Sequence, residues 1–70
     1  MSRRDETLAT VTRPDGAVVT LAAMAPTTWR RGEYHIDTRL RGVLVARHTT
    51  RLSQEPAARA AFAAACEVSP

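Results

Sequence analysis

The sequence predicts an α+β domain in which two successive β-hairpins form a four-stranded antiparallel sheet and one C-terminal helix packs on it. Three observations support this ββββα architecture: a proline-glycine turn near residue 15, an alternating segment over 33–40, and an alanine-rich segment after residue 53. A chain of 70 residues has room for a single small domain. We expect a flexible N-terminus over 1–5, a first hairpin over 6–25, a connector over 26–32, a second hairpin over 33–51 and a helix over 53–67.

The first hairpin is predicted by Thr12–Ala17, which has the sequence Thr-Arg-Pro-Asp-Gly-Ala. Pro14 presets φ at the first loop position, and Gly16 can adopt the left-handed conformation that closes a three-residue loop. Pairing of Arg13 with Ala17 then fixes the register of both strands. One face carries Ala9, Val11, Val19, Leu21 and Ala23, and the other carries Thr10, Thr12, Val18 and Thr20.

The second hairpin is predicted by Glu33–Leu40, where polar and apolar residues alternate as in a half-buried strand. Before it, Pro26 ends the first hairpin, because proline cannot donate to a ladder. After it, Arg41 and Gly42 offer a two-residue turn, although Arg-Gly is a weaker hairpin signal than Asn-Gly. A single bent strand is therefore the alternative.

The helix is predicted by the alanine-rich segment, which has the strongest helix propensity in the chain. Ser53 is the predicted N-cap, and Pro56 is tolerated in the first turn. Glu55 lies four residues before Arg59, a spacing that supports a helix weakly. A narrow stripe faces the sheet, formed by Ala58, Phe62, Ala65 and Cys66. Ser69 and Pro70 are expected to fray.

Few large apolar residues are available for a core, so we expect marginal stability or stability borrowed from a partner. The candidates are Leu8, Val11, Val18, Val19, Leu21, Met24, Trp29, Tyr34, Ile36, Leu40, Val43, Leu44, Val45, Leu52, Phe62 and Val68. A small SH3-like or OB-like barrel is the alternative to an open sheet. The chain has only three glycines for the sharp corners of a barrel, which favours the open sheet.

All ten basic residues are arginine, and the formal net charge is +3. Three explanations are open: the coding bias of a GC-rich genome, which the many alanines also indicate, a nucleic-acid footprint, or an acidic protein partner. Cys66 is the single cysteine, so no disulfide can form within the chain, and we expect a reducing cytoplasm. We expect no secretory leader and no membrane span.

Two histidines define a possible site in the second hairpin. If Arg41 and Gly42 form its turn, His35 and His48 face each other, and Asp37 lies one step along the same face. Zinc would lack a fourth ligand and a walled pocket there. A solvated polar face is the expected outcome, and a pH response of two neighbouring histidines is the alternative. We predict no metal and no cofactor.

The candidate binding residues are one tryptophan and five arginines: Trp29, Arg30, Arg31, Arg39, Arg41 and Arg47. The first three lie in the connector, and the others surround the tip of the second hairpin. Two roles are open for Trp29, capping the core and anchoring a partner, and we expect a share of each. The hairpin arginines also resemble in layout a basic β-ribbon that enters a DNA groove.

The predicted function is binding without catalysis, since so small a chain offers no deep cleft in which to exclude water. We expect a regulator or inhibitor, of the kind that phage or mobile-element genes encode, that docks on a larger protein or nucleoprotein. Its arginine-rich sheet face and Trp29 loop would contact an acidic surface. Direct DNA or RNA binding is one alternative, and a homo-oligomer joined through sheet edges is another.

Overall fold

The structure, a computed structural model, describes residues 5–67. The flexible N-terminus predicted for 1–5 lies almost wholly outside this range, as do Val68 and the fraying predicted for Ser69 and Pro70. One antiparallel sheet has the order β1-β2-β3-β4, followed by a 3-10 turn and one helix. The elements are β1 (Glu6–Thr12), β2 (Val18–Met24), β3 (Glu33–Leu40), β4 (Val43–Arg51), the 3-10 turn Leu52–Gln54 and α1 (Glu55–Cys66).

This arrangement confirms the predicted ββββα fold. Within residues 5–67 the strands β1 and β4 are the two edges of the sheet, so the sheet is open and the barrel alternative is wrong. No helix in this range is long and apolar enough to cross a membrane.

The first turn has the predicted geometry. The amide of Arg13 donates to the carbonyl of Ala17 at 2.7 Å, and Gly16 adopts a φ of 90°. The strand pairs Val11 with Val19 and Ala9 with Leu21 follow from that closure. The Arg13 guanidinium bonds the Asp15 carboxylate and also donates to the carbonyl of Ala65 at 3.1 Å. The same arginine therefore ties the turn to the end of the helix.

The second turn is also formed as predicted, by Arg41 and Gly42 between the paired residues Leu40 and Val43. Both central residues have positive φ, 54° and 80°, which is the pattern of a type I′ turn. This conformation is easy for Gly42 and strained for Arg41, because a side chain clashes with the backbone in the left-handed region.

Each edge strand carries one register shift. Pairing of β1 with β2 slips between Thr7 and Ala9, which leaves Leu8 as the extra residue. Pairing of β3 with β4 slips between Thr38 and Arg39, which leaves Val45 as the extra residue. Each extra residue reverses the alternation of the edge strand. Side chains farther from the turn than the extra residue therefore lie on the opposite face from the one that an unbroken register would give them.

The core lies between the helix and one face of the sheet. Its buried members are Val19 and Leu21 from β2, Tyr34 and Ile36 from β3, and Ala58 from α1. The predicted helix stripe is confirmed, since Phe62, Ala65 and Cys66 pack against these residues. The Tyr34 hydroxyl donates to Glu55 at 3.1 Å, which holds the start of the helix on β3.

The helix starts differently from the prediction. Ser53 lies in the 3-10 turn, the N-cap position is Gln54, and no side chain caps the first turn. Pro56 in the first turn removes one backbone donor that would otherwise need a cap. Glu55 lies 3.6 Å from Arg59, as their spacing predicts.

Seven of the predicted core residues are exposed instead: Leu8, Val11, Trp29, Leu40, Val43, Leu44 and Val45. For Leu40 and Val43 the reason is the short, oblique course of the helix, whereas Leu44 lies on the open face of the sheet and Trp29 lies in the connector. The 12 residues of the helix span about 18 Å, from Tyr34 at one end to Arg13 at the other. The helix thus crosses from β3 toward the first hairpin and leaves the turn end of the second hairpin uncovered.

Candidate functional site

The strand register gives the sheet two different faces. The helix face carries the core, and the open face carries polar and charged residues that no other described element covers. On β3 the open face presents Glu33, His35, Asp37 and Arg39, and on β4 it presents Leu44, Arg47, Thr49 and Arg51.

Arg47 forms the best-defined polar contact of the open face. Its Nε and Nη2 atoms donate to the two carboxylate oxygens of Asp37 at 2.8 and 3.0 Å. This hydrogen bonding holds the pKa of Asp37 below its ordinary value, against the opposing effect of burial. Arg39 lies 4.0 Å from the same carboxylate. Arg47 was predicted to bind a partner. In the structure two of its N–H groups are hydrogen-bonded to Asp37, and 43% of its side chain is exposed.

The turn end of the second hairpin carries exposed apolar residues that were predicted to lie in the core. We call Leu40, Val43, Leu44 and Val45 the hairpin-end patch. Val43 and Val45 are 63% and 57% exposed, and the two leucines are exposed by a smaller margin. Arg39 and Arg41 are exposed at its border. The sequence shows that the residues of the hairpin-end patch are apolar strand residues. It does not show that the helix ends before it reaches them.

Trp29 occupies a separate, hydrogen-bonded turn between β2 and β3. Thr27 Oγ1 accepts from the amides of Trp29 and Arg30 at 3.3 and 3.0 Å, and the Thr27 amide donates to the Arg30 carbonyl at 2.9 Å. We call Thr27–Arg31 the tryptophan turn. The Trp29 side chain is 91% exposed. The prediction that it caps the core in part is therefore wrong.

The six predicted binding residues do not form one continuous surface. The tryptophan turn precedes Glu33, whereas Arg39 and Arg41 lie at or beyond the other end of β3, about 20–26 Å away along the strand. Arg30 and Arg31 line a cleft of about 130 Å³ together with His35 and Glu33, which places these two arginines at the open face.

The predicted histidine pair is not formed. The slip at Val45 pairs His48 with Ile36 and His35 with Thr49, so the two imidazoles lie on opposite faces of the sheet. His35 is buried with its Nε2 atom 2.7 Å from Glu33 Oε1. Both the zinc alternative and the coupled pH response of two histidines are therefore wrong.

A cleft of about 530 Å³ lies where the helix face meets the connector. Tyr34, Leu52, Ala23 and Pro26 contribute to its lining, and Glu6 is the one acidic residue among the described residues that line it. Across residues 5–67 no three His, Cys, Asp or Glu side chains form a group that could hold a metal ion. Cys66 is half-buried against the core, consistent with a packing role.

Comparisons of this chain with protein-family models, with curated proteins and with solved structures find no match.

Proposed function

We propose that this chain is a non-enzymatic binding protein, a regulator or inhibitor, that docks on a larger protein through the hairpin-end patch. The observation that carries the proposal is the group of four exposed apolar side chains bordered by Arg39 and Arg41. We place its action in the cytoplasm, where the free thiol of Cys66 would stay reduced.

An apolar centre with a charged border is the usual anatomy of a protein interface. Arginine is also among the residues most enriched at energetically important interface positions. Leu40 and Val43 are paired on the helix side of the sheet and Leu44 lies on the open face, so the hairpin end exposes apolar side chains on both sides of the sheet. Exposed apolar surface costs solubility, and a partner that encloses the hairpin end would cover it. Arg39 and Arg41 favour a partner with carboxylates beside an apolar groove, because guanidinium pairs well with carboxylate.

Self-association through the sheet edges has less support. Both edge strands carry a bulge, at Leu8 and at Val45, and bulges hinder regular pairing with another strand. β4 also carries Arg47 and Arg51 and no acidic residue, so two copies of this edge would repel each other. Direct nucleic-acid binding by the hairpin arginines is the second alternative, but the positive charge of Arg47 is already paired with Asp37, which weakens its attraction for phosphate.

The test is capture of partners from nuclease-treated host lysate, followed by affinity measurement with the purified partner. Val43→Thr with Val45→Thr makes the patch polar at exposed positions while keeping β-branched side chains. We expect this variant, and Arg39→Ser with Arg41→Asn, to lose the partner. Val11→Thr on β1 and Arg59→Ser on α1 are controls that should keep it.

Equal binding by the patch variants and the controls would refute the proposal. Loss of all captured protein after nuclease treatment would support the nucleic-acid alternative instead. Size-exclusion chromatography with light scattering on the purified chain measures self-association directly. A dimer that survives the two valine substitutions would favour the edge-joined oligomer.

A further inference from the structure

We propose that the tryptophan turn is a separate site for single-stranded nucleic acid, in which a base stacks on Trp29 and neighbouring phosphates contact Arg30 and Arg31. This inference does not depend on the proposed function, because the residues lie at the other end of β3 from the hairpin-end patch. A ligand could occupy one end while a protein partner occupies the other.

The position of Trp29 is the first argument. Trp29 is 91% exposed, so nearly all of the indole is accessible to a ligand. The turn beneath it is held by three hydrogen bonds around Thr27, so the backbone that presents the ring is ordered before a ligand arrives. An exposed aromatic ring on an ordered backbone is the arrangement on which unpaired bases stack, and each stacked base contributes substantially to affinity.

The two guanidinium groups are the second argument. Arg30 and Arg31 are exposed, and within residues 5–67 neither side chain forms a hydrogen bond or an ion pair. Asp5 and Glu33 line the same cleft but already have partners. The Asp5 carboxylate accepts from the Ala25 amide at 2.8 Å, and Glu33 lies 2.7 Å from His35.

The composition of the turn distinguishes nucleic acid from protein as the ligand. Between Thr27 and Gly32, Trp29 is the only large apolar side chain, and its neighbours are threonines and arginines. A protein hot spot is normally surrounded by further apolar contacts that exclude water. The hairpin-end patch has that surrounding, and the tryptophan turn does not. One aromatic ring beside two guanidiniums that have no partner among residues 5–67 instead matches one base beside two phosphates.

Trp29 is the single tryptophan of the chain, so its fluorescence reports on this site alone. We would titrate the purified protein with short oligothymidylate and oligouridylate at low salt. Stacking should quench the emission, and the two ligands separate DNA from RNA. If Arg30 and Arg31 each neutralise one phosphate, the logarithm of affinity should fall with the logarithm of salt concentration with a slope of about −1.4.

Variants assign the effect to this turn. Anisotropy of a labelled oligonucleotide should show that Trp29→Ala weakens binding about fivefold or more. Replacement of Arg30 and Arg31 by serine should flatten the salt slope toward zero. Arg39→Ser with Arg41→Asn removes the same charge at the other end of the sheet, and Val43→Thr with Val45→Thr alters the hairpin-end patch. Both controls should bind oligonucleotide as the parent does.

Three results would overturn the inference. The first is that neither oligonucleotide quenches Trp29, and the second is that Arg39→Ser with Arg41→Asn loses as much oligonucleotide affinity as replacement of Arg30 and Arg31. The third is that a captured protein shifts the Trp29 emission and no nucleic acid does. The substituted side chains are solvent-exposed, and circular dichroism of each variant checks that the sheet is retained. If the valine variants lose their protein partner and neither oligonucleotide quenches Trp29, the proposed function stands while this inference fails.

Discussion

The carboxylate of Asp37 lies directly across β3 and β4 from the guanidinium of Arg47, and two hydrogen bonds of 2.8 and 3.0 Å join them. Asp37 is 8% exposed although it lies on the open face of the sheet. The pair therefore stabilises the fold. Arg47, which was predicted from the sequence as a binding residue, has a structural role.

We predict that Arg47→Ala lowers the free energy of unfolding by about 1–2 kcal/mol, because it leaves the buried Asp37 carboxylate without its two best donors. The loss stays below that of a fully buried pair, since Arg47 is 43% exposed and Arg39 lies 4.0 Å from the same carboxylate. Urea denaturation measures it. Replacing both Asp37 and Arg47 by threonine should recover part of the loss, because the orphaned charge is gone. Additive losses in the double variant would contradict this account.

Stability should fall in acid. The pKa of Asp37 is lowered mainly by its hydrogen bonds from Arg47, and the pKa of Asp15 is lowered mainly by its hydrogen bonds from Arg13. A carboxyl group whose pKa is lower in the folded state stabilises the fold above its unfolded pKa of about 3.9, and this contribution disappears as pH falls toward the folded value.

Urea midpoints measured between about pH 6 and pH 2 would test this expectation. The decline should be smaller in Arg47→Ala, because the pKa of Asp37 is then closer to its ordinary value, and smaller again when Asp15→Asn is added. Arg59→Ala, on the exposed face of the helix, should decline as the parent does. An acid profile identical in all four proteins would rule out these carboxylates as its cause.

The fold was predictable where one residue determines geometry. Gly16 fixes the first turn, and with it the pairing of Val11 with Val19. The alanine segment could form only a helix, and its stripe around Phe62 faces the core. These are local effects of backbone conformation and periodicity, which a sequence displays directly.

The candidate site was less predictable because it depends on two features with no local signal. A bulge at Val45 moves His48 to the opposite face from His35, and no residue type announces such a slip. The oblique course of the helix leaves Val43 exposed, and alternation cannot reveal which part of an apolar face a helix covers. Trp29 was equally ambiguous, because an indole serves a core or a surface with the same chemistry.

Arg41→Asn should stabilise the protein by roughly 0.5–1 kcal/mol. Arg41 has a φ of 54° at the first central position of the type I′ turn, where asparagine followed by glycine is the preferred pair. The midpoint of thermal unfolding should then rise by about 2–8 °C. The control is Arg39→Asn, which changes charge equally at an extended position and should bring no gain. An unchanged or lower midpoint for Arg41→Asn would show that the side chain of Arg41 contributes more than its strain costs.

Gly32 is required by packing rather than by its backbone angles. A Cβ atom added there would clash with Leu52 Cδ1 and would lie 3.1 Å from both the Met24 carbonyl oxygen and Pro26 Cδ. Leu52 can swing aside, but the backbone contact remains, so Gly32→Ala should cost about 1–3 kcal/mol of unfolding free energy. Truncating Leu52 to alanine removes the closest clash. The double variant should therefore be more stable than the sum of the single losses implies, as a denaturation cycle would measure. Strict additivity would place the cost of Gly32→Ala at the Met24 carbonyl oxygen and Pro26 Cδ instead, because the same substitution favours folding through the unfolded chain.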